Sequence, residues 1–396
     1  MLAGLACTAR PARHTPAPRI ARPNTERAGF VVRLGVDTIM VERFSVSQGV
    51  IEGDIVDRSP KTTILHYAFS VDSGGRMTHL EVTQRAAEPR VAQAPIFHLT
   101  VERVRDAFDV VIQEGDSTRR RLAPVPAEAI PLFARSMALD ELIISRLQRA
   151  GTDSIVVPIL DLDSSVAANS TVRRLGADSV VISVNFPRGE HARIDAAGRI
   201  LGVSGFATSY KWLTDRVDDL DAAALAQSFA ERDAKGAALG NYSSRDTARA
   251  VIDGTHIAIE YGRPSKRGRV IFGGLVPWNE VWRTGADLAT HLTTDRDLRL
   301  DGLIVPVGTY TLYTLPSPAG WKLIVNRRTG QNGLVYDSTA DLGRVAMATT
   351  LLSGSTERLT ITVERAPVGG VLRIMWDNLI ASVPLTVVPA SSPRPY

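Results

Sequence analysis

Cysteine is almost missing: the 396 residues hold one, Cys7. A single thiol closes no intramolecular disulfide and builds no zinc ribbon, so the fold must rest on its packed core. Lysine is scarce too, with only Lys61, Lys211, Lys235, Lys266 and Lys322 against many arginines. No apolar run reaches the roughly 18 residues that a membrane-crossing helix needs. The histidines (14, 66, 79, 98, 191, 256, 291) are dispersed, with no close pair at metal-ligand spacing. His66 and His79 flank one turn and read as a strand-surface pair. GRVIFGG (268–274) lacks the lysine and following helix of a phosphate loop. DLDSSVAANSTV starts like a calcium loop, but Val166 and Val172 stand where it needs glycine and glutamate. GVSG lacks the spacing of a serine-nucleophile elbow. These absences leave no catalytic residue, metal or cofactor to assign.

Charge argues against nucleic acid. The net +4 is carried by residues 1–29, where Arg10, Arg13, Arg19, Arg22 and Arg27 face Glu26 alone, so the remainder is balanced. A nucleic-acid partner needs a basic face, and no stretch provides one. The first 29 residues read as a tail outside the fold: either disordered, or the end of a secretory signal whose upstream part is missing. LAGLAC resembles a lipoprotein signal ending at Cys7, which would then carry a lipid anchor. That reading places the protein in the periplasm or among secreted proteins.

What is present is β-rich. VVRLGVDTIMVERFSV, GVIEGDIVDR, TTILHYAFSV and RMTHLEVTQR alternate apolar with polar residues, the period of half-buried antiparallel strands. The text AEAIPLFARSMALDELIISRLQRAG changes to helical spacing, with Ile130, Phe133, Met137, Leu142, Ile144 and Leu147 on one broad face and Gly151 as a stop. Strands then resume to about residue 210. VDSGGRMTHLEV and IDAAGRILGVSG share Asp-x-x-Gly-Arg, the chemistry of a tight turn. Residues 211–242 read as a helical linker, with Asp215, Asp218, Asp219 and Asp221 as helix-start charge. From about 243 to 390, short strands such as THIAIEYG, TYTLYTL, WKLIVNR and VLRIMWD follow at close spacing without helical interludes. Residues 391–396 form a tail. The expected class is mainly β with a few helices: an α+β extended antiparallel sheet over 30–210 with a covering helix at about 128–150, then an all-β sandwich.

One stretch stands apart. SKRGRVIFGGLVPWNEVWRTGAD (265–287) packs two tryptophans, four basic residues and four glycines into a loop that Pro264 and Pro277 keep from being helical throughout. Trp278 and Trp282, four apart, fit one face of a short helical turn with Arg283 beside them. Two arrangements suit these residues. In one the loop plugs an open end of the sandwich, with Arg263, Arg269 and Arg283 bonded to backbone carbonyls or buried carboxylates. In the other, Arg263, Arg269, Trp278, Trp282, Arg283 and Asp287 line a pocket for a small molecule, anionic or sugar-like.

The run from IEYGRPSKRGRVIFGGLVPWNEVWRTGAD through TYTLYTLPSPAGWKLIVNRRTGQ, continuing to VLRIMWDNLIASVPLTV, resembles the bacterial domain of unknown function 2911 family over residues 243–388. The resemblance implies a β-rich, often secreted domain and no known activity. Asn279 stands where that family commonly has glycine, Asp287 where asparagine is common, and Asn332 where an aromatic is common. Residues 30–210 are similar, in order and rhythm alone, to periplasmic lipoprotein carriers, whose curved sheet clasps helices around space for an apolar molecule. Together these point to an extracytoplasmic bacterial binding or structural module without catalysis, with an apolar or lipid ligand in the first domain. The alternative is a hydrolase around Arg263, Arg283 and Asp287, with Asp287 or His291 as base.

Overall fold

The computed structural model describes residues 25–87, 95–162, 167–184, 189–208 and 211–389. Cys7 and residues 391–396 lie outside them. The first half is a single sheet built from β1 (Thr25–Leu34), β2 (Asp37–Ser47), β3 (Val50–Asp57), β4 (Thr63–Val71), β5 (Met77–Ala86), β6 (Phe97–Val104), β7 (Ala107–Glu114) and β8 (Ser117–Pro124). It continues through β9 (Ile130–Leu132), helix α1 (Met137–Ala150), β10 (Ser154–Asp161), β11 (Ala167–Arg174), β12 (Ser179–Val184), β13 (Glu190–Ile194), β14 (Ile200–Ser204) and β15 (Leu213–Val217). Its order is β8-β7-β6-β5-β4-β3-β2-β1-β15-β14-β13-β12-β11-β10-β9, antiparallel except for the β9–β10 pair.

That order dictates shape. The two edge strands, β8 and β9, are joined by residues 125–129 alone. Such a connection spans at most about 20 Å, so a sheet of 15 strands must curl until its edges nearly meet. Arg121 on β8 reaches Leu162 O just past β10 at 2.6 Å, which ties the edges together. The curl encloses α1. Met137, Leu139, Ile143, Ile144 and Leu147 are buried against Phe30, Val32, Phe44, Tyr67 and Phe69 of the central strands. Helix α2 (Ala222–Ala234) covers the opposite face, with Ala222, Ala226, Phe229 and Ala230 packed on Val41 and Val56.

Sequence boundaries shift for identifiable reasons. The helix expected from about 128 begins at Met137. Ser136 caps it, its hydroxyl accepting from Leu139 N–H, and Gly151 at φ 64° ends it. Upstream, Ile130–Leu132 pairs with Ile159–Asp161 instead, so a strand takes the residues whose apolar spacing looked helical. The first strand starts at Thr25, not after residue 29, and Glu26 is buried there, within reach of Arg199 and Arg216. Within the stretch read as a helical linker, Leu213–Val217 is β15, hydrogen-bonded between β1 and β14. Asp221 caps α2 by accepting from Ala224 N–H at 2.9 Å. The two Asp-x-x-Gly-Arg turns share one geometry: Asp72 and Asp195 each accept from the arginine backbone four residues on, at 2.9 Å, with Gly75 at φ 76° and Gly198 at φ 79°.

The second half comprises β16 (Ser243–Ile252), β17 (Thr255–Pro264), β18 (Thr290–Thr294), β19 (Leu298–Leu300), β20 (Leu303–Val305), β21 (Gly308–Leu315), β22 (Trp321–Asn326), β23 (Asp341–Arg365) and β24 (Gly370–Val387). Their order is β16-β17-β18-β21-β22-β23-β24-β19-β20, all antiparallel. The long β23 and β24 change register along their length, so β23 pairs first with β22 and then with β24. Ile259, Leu312, Leu323, Val325, Ile361, Ile374 and Val383 fill the core between the layers. The molecule is thus mainly β, as the alternation predicts.

The two halves touch through the loop after β17. Val36 N–H donates to Arg267 O at 3.0 Å, and Arg267 Nη1 pairs with Asp37 Oδ2 at 2.5 Å. Gly35 lies at φ 65°, and a β-carbon there would sit 1.9 Å from Arg267 O. Gly35→Ala should therefore cost about 2 kcal/mol in urea unfolding, from the positive φ and the displaced contact. An unchanged midpoint would show that this approach does not hold the halves together.

Candidate functional site

The loop 265–287 is ordered by its own side chains. Arg269 donates to Ser265 O at 2.5 Å and Lys266 O at 3.0 Å, and its burial lowers its pKa to about 10. Arg263 bonds Leu359 O, Asp246 and Thr360 Oγ1, each at 3.1 Å. Arg283 donates to Gly285 O and Asp287 O, both at 3.3 Å. The aromatic side chains form a ladder: Phe272 lies between Trp278 (6.0 Å) and Trp321 (5.1 Å), and Trp282 between Trp321 (6.4 Å, edge-on) and Trp376 (6.0 Å, stacked). Trp282 also exchanges both backbone bonds with Thr314, at 2.8 and 2.9 Å. No helical turn forms here, because strand-like pairing to β21 satisfies the backbone instead. Asn279 and Asp287 sit at φ 63° and 59°, which glycine and asparagine also tolerate. These departures from the commoner residues thus keep the local backbone.

This loop forms one wall of a cavity of about 1050 Å³ between the two halves. The opposite wall comes from the curled sheet and α1, through Leu34, Ile39, Ile130, Leu139, Ile143 and Ile159. The aromatic wall comprises Trp282, Tyr313, Tyr336 and Trp376. A mostly apolar concavity with a few convergent polar groups is the usual form of a small-molecule site, and roughly 300–1,000 Å³ is the usual size.

Of the six residues expected at a site, Arg269, Trp282, Arg283 and Asp287 line this cavity; Arg263 and Trp278 do not. His291 is also absent from the lining residues. Its Nε2 accepts from Gly330 N–H at 3.4 Å, and burial lowers its pKa. The arrangement brings guanidinium groups and carboxylates together without an imidazole. Among the described residues no group of three or more His, Cys, Asp or Glu side chains is placed to hold a metal.

The curled sheet contributes a polar cluster that sequence reading missed. Arg135 and Glu190 form a two-bond ion pair at 2.7 and 2.9 Å. Arg135 lies 3.6 Å from the Trp212 ring centroid, and Trp212 Nε1–H donates to Glu190 at 2.5 Å. Asp140 of α1 lines the same cavity. Burial, aided by the charge of Glu190 and opposed by Arg135, raises its pKa to about 8. A signal for it existed. Asp140 shares a helical face with Ile143, Ile144 and Leu147, all buried, so it interrupts an apolar stripe.

Residues 243–385 match the family model described as a protein of unknown function, DUF2911. A search of the curated proteins finds no match. Among solved structures the chain is similar to a DUF1089 family protein from Pseudomonas aeruginosa, at 13% identity over 49% of this chain and 95% of that one, with a TM-score of 0.28. It is also similar to a beta-barrel-like protein of domain of unknown function DUF1849 from Brucella abortus, at 11% identity over 49% and 95%, with a TM-score of 0.32.

Proposed function

We propose that this DUF2911-containing chain is a non-catalytic binding protein for an apolar small molecule, held in the cavity between the curled sheet and the tryptophan-rich loop. The observation that carries the reading is the lining itself: aliphatic side chains on one wall, aromatic ones on the other, around a space of about 1050 Å³. Burying apolar ligand surface there gains about 25 cal/mol per Å² before association costs. The loop's arginines are committed, Arg269 and Arg283 to carbonyls and Arg267 to Asp37, so they support a wall more than they supply reactive groups. The hydrolase alternative needs Arg263, Arg283 and a base, Asp287 or His291, around one site, and Arg263 and His291 are not among the residues lining the cavity.

The test is saturable binding of a neutral fluorescent apolar probe, N-phenyl-1-naphthylamine. Ala134 lines the cavity and is only partly buried. Ala134→Phe should fill space there and weaken the probe at least about tenfold, with the melting temperature nearly unchanged. Absence of saturable binding by the unmodified protein would sink the reading. No helix of the described residues is long and apolar enough to cross a membrane. We place the protein outside the cytoplasm, periplasmic or secreted, with Cys7 as its lipid anchor. A diacylglyceryl group found on Cys7 by mass spectrometry of natively purified protein would support this, and a plain thiol would remove the anchor.

A further inference from the structure

Most charged groups in the cavity wall are already engaged. Arg135 is bound to Glu190, Arg269 and Arg283 donate to carbonyls of their own loop, and Lys211 donates to Phe206 O. Glu190 accepts from both Arg135 and Trp212. Glu280 and Asp287 lie at the exposed rim. Asp140 differs. Its carboxyl has neither a hydrogen bond nor an ion pair among the described residues, and the half-buried residue is part of the cavity lining. A polar group held in such a place without a partner is unfavourable, and more so when charged.

The surroundings of Asp140 favour positive charge. The groups that act on it are Glu190 on β13, Glu42 on β2 and Glu141 on its own helix, against Arg135 alone. Glu42 and Glu141 are themselves raised above the ordinary carboxylate range, chiefly by burial, although Tyr67 and Ser136 donate to Glu42 and Arg216 is paired with Glu141. A second anion would be repelled, whereas an ammonium group would pair with Asp140 and offset the surplus of carboxylates.

We propose that the ligand is a cationic amphiphile: an apolar chain lying along the aliphatic and aromatic walls, with a primary ammonium group hydrogen-bonded to the Asp140 carboxylate. This rests on the binding reading above and specifies its ligand class. An ammonium donor completes a carboxylate of the cavity wall that is left unpaired among the described residues, and the chain takes up the apolar surface that a simple cation would not.

Pairing also moves a proton. With its pKa near 8, Asp140 is mostly protonated in the free protein at neutral pH. An arriving ammonium group favours the carboxylate, so the Asp140 proton leaves to solvent and no covalent bond changes.

The experiment compares decylamine, decanol and decanoate by titration calorimetry of the full chain, below their micelle-forming concentrations, in two buffers of different protonation enthalpy. The amine should bind at least about tenfold tighter than the alcohol, the lower end expected for a charged hydrogen bond, and decanoate should bind weakest. At neutral pH the amine should release close to one proton, and this release should fade above pH 9. In Asp140→Asn the amine's advantage over the alcohol should disappear. Equal affinities for amine and alcohol, or amine binding without proton release at neutral pH, would overturn the head-group assignment and leave the apolar site standing. If none of the three binds, the binding reading itself fails. The wild-type comparison and the proton count do not depend on the variant folding.

Discussion

Replacing Glu42 with alanine should destabilise the protein by about 3–5 kcal/mol, the cost of breaking up a buried charged network. Glu42 is fully buried on β2. Its carboxylate accepts from Tyr67 Oη–H at 2.7 Å, from Ser136 Oγ–H at 2.6 Å and from Met137 N–H at 2.6 Å. The last of these is one of the free amides at the start of α1, which have no partner inside the helix. One side chain therefore fastens the helix to the sheet that curls around it. Alanine orphans three donors at once and leaves a hole between Tyr67 and the helix cap. Glu42→Gln keeps the volume and should lose less, about 1–2 kcal/mol, because burial already pushes the carboxyl toward its neutral form. Urea unfolding followed by far-ultraviolet circular dichroism measures both. A loss under about 1 kcal/mol for alanine would mean that the helix is held by apolar packing alone.

Asp140→Asn should change the pH dependence of stability by a comparable amount. In the unfolded chain Asp140 titrates near the ordinary value of about 3.9. In the folded protein it titrates near 8, because burial disfavours its charge. Below the lower value the residue is protonated in both states and carries no penalty. Between the two values the folded state holds a proton that the unfolded state has lost, so stability falls as pH rises, and it levels off above the folded value. Asparagine cannot ionise. The variant should match the wild type near pH 4 and exceed it by roughly 5–6 kcal/mol near pH 9, about four units at 1.36 kcal/mol each. Parallel stability profiles from pH 4 to 9 would show that Asp140 titrates normally and would weaken the case for its place in ligand recognition.

The strands of the first sheet were legible because each hairpin alternates on its own terms. Val50–Asp57 against Thr63–Val71 needs nothing beyond period and turn chemistry. The Asp-Gly-Arg turns were legible for the same reason. The start of α1 was not. Ile130 and Phe133 carry helical spacing, yet Ile130 is claimed by a parallel pairing with Ile159, a partner 29 positions away that no local pattern reveals. β15 was hidden similarly: LTDRV has little of the composition of a strand, and it becomes one by filling the gap between β1 and β14. At the cavity, Trp282 and Arg283 stood out because tryptophan and arginine are conspicuous in a glycine-rich loop. Arg135, Asp140, Glu190 and Trp212 did not, because they come from three separate places, the start of α1, β13 and the approach to β15, and acquire meaning only when the sheet curls. Of these, only Asp140 left a local trace.

Apart from the parallel β9–β10 pair, whose strands are joined through α1, one ladder in the first sheet has no hairpin to form it. β1 and β15 run side by side with Gly29 opposite Val217 and Arg33 opposite Leu213, while every other neighbouring pair is adjacent in the chain. The nascent polypeptide can zip β1 to β8 as a meander soon after synthesis, but β1 then waits with one flank bare until Val217 leaves the ribosome. Closing so long a loop slows this step more than it weakens the product, since loop entropy grows only with the logarithm of length. Until the seam closes, Phe30 and Val32 lack their full covering, and the unpaired flank of β1 is the surface on which two half-made chains would first stick together.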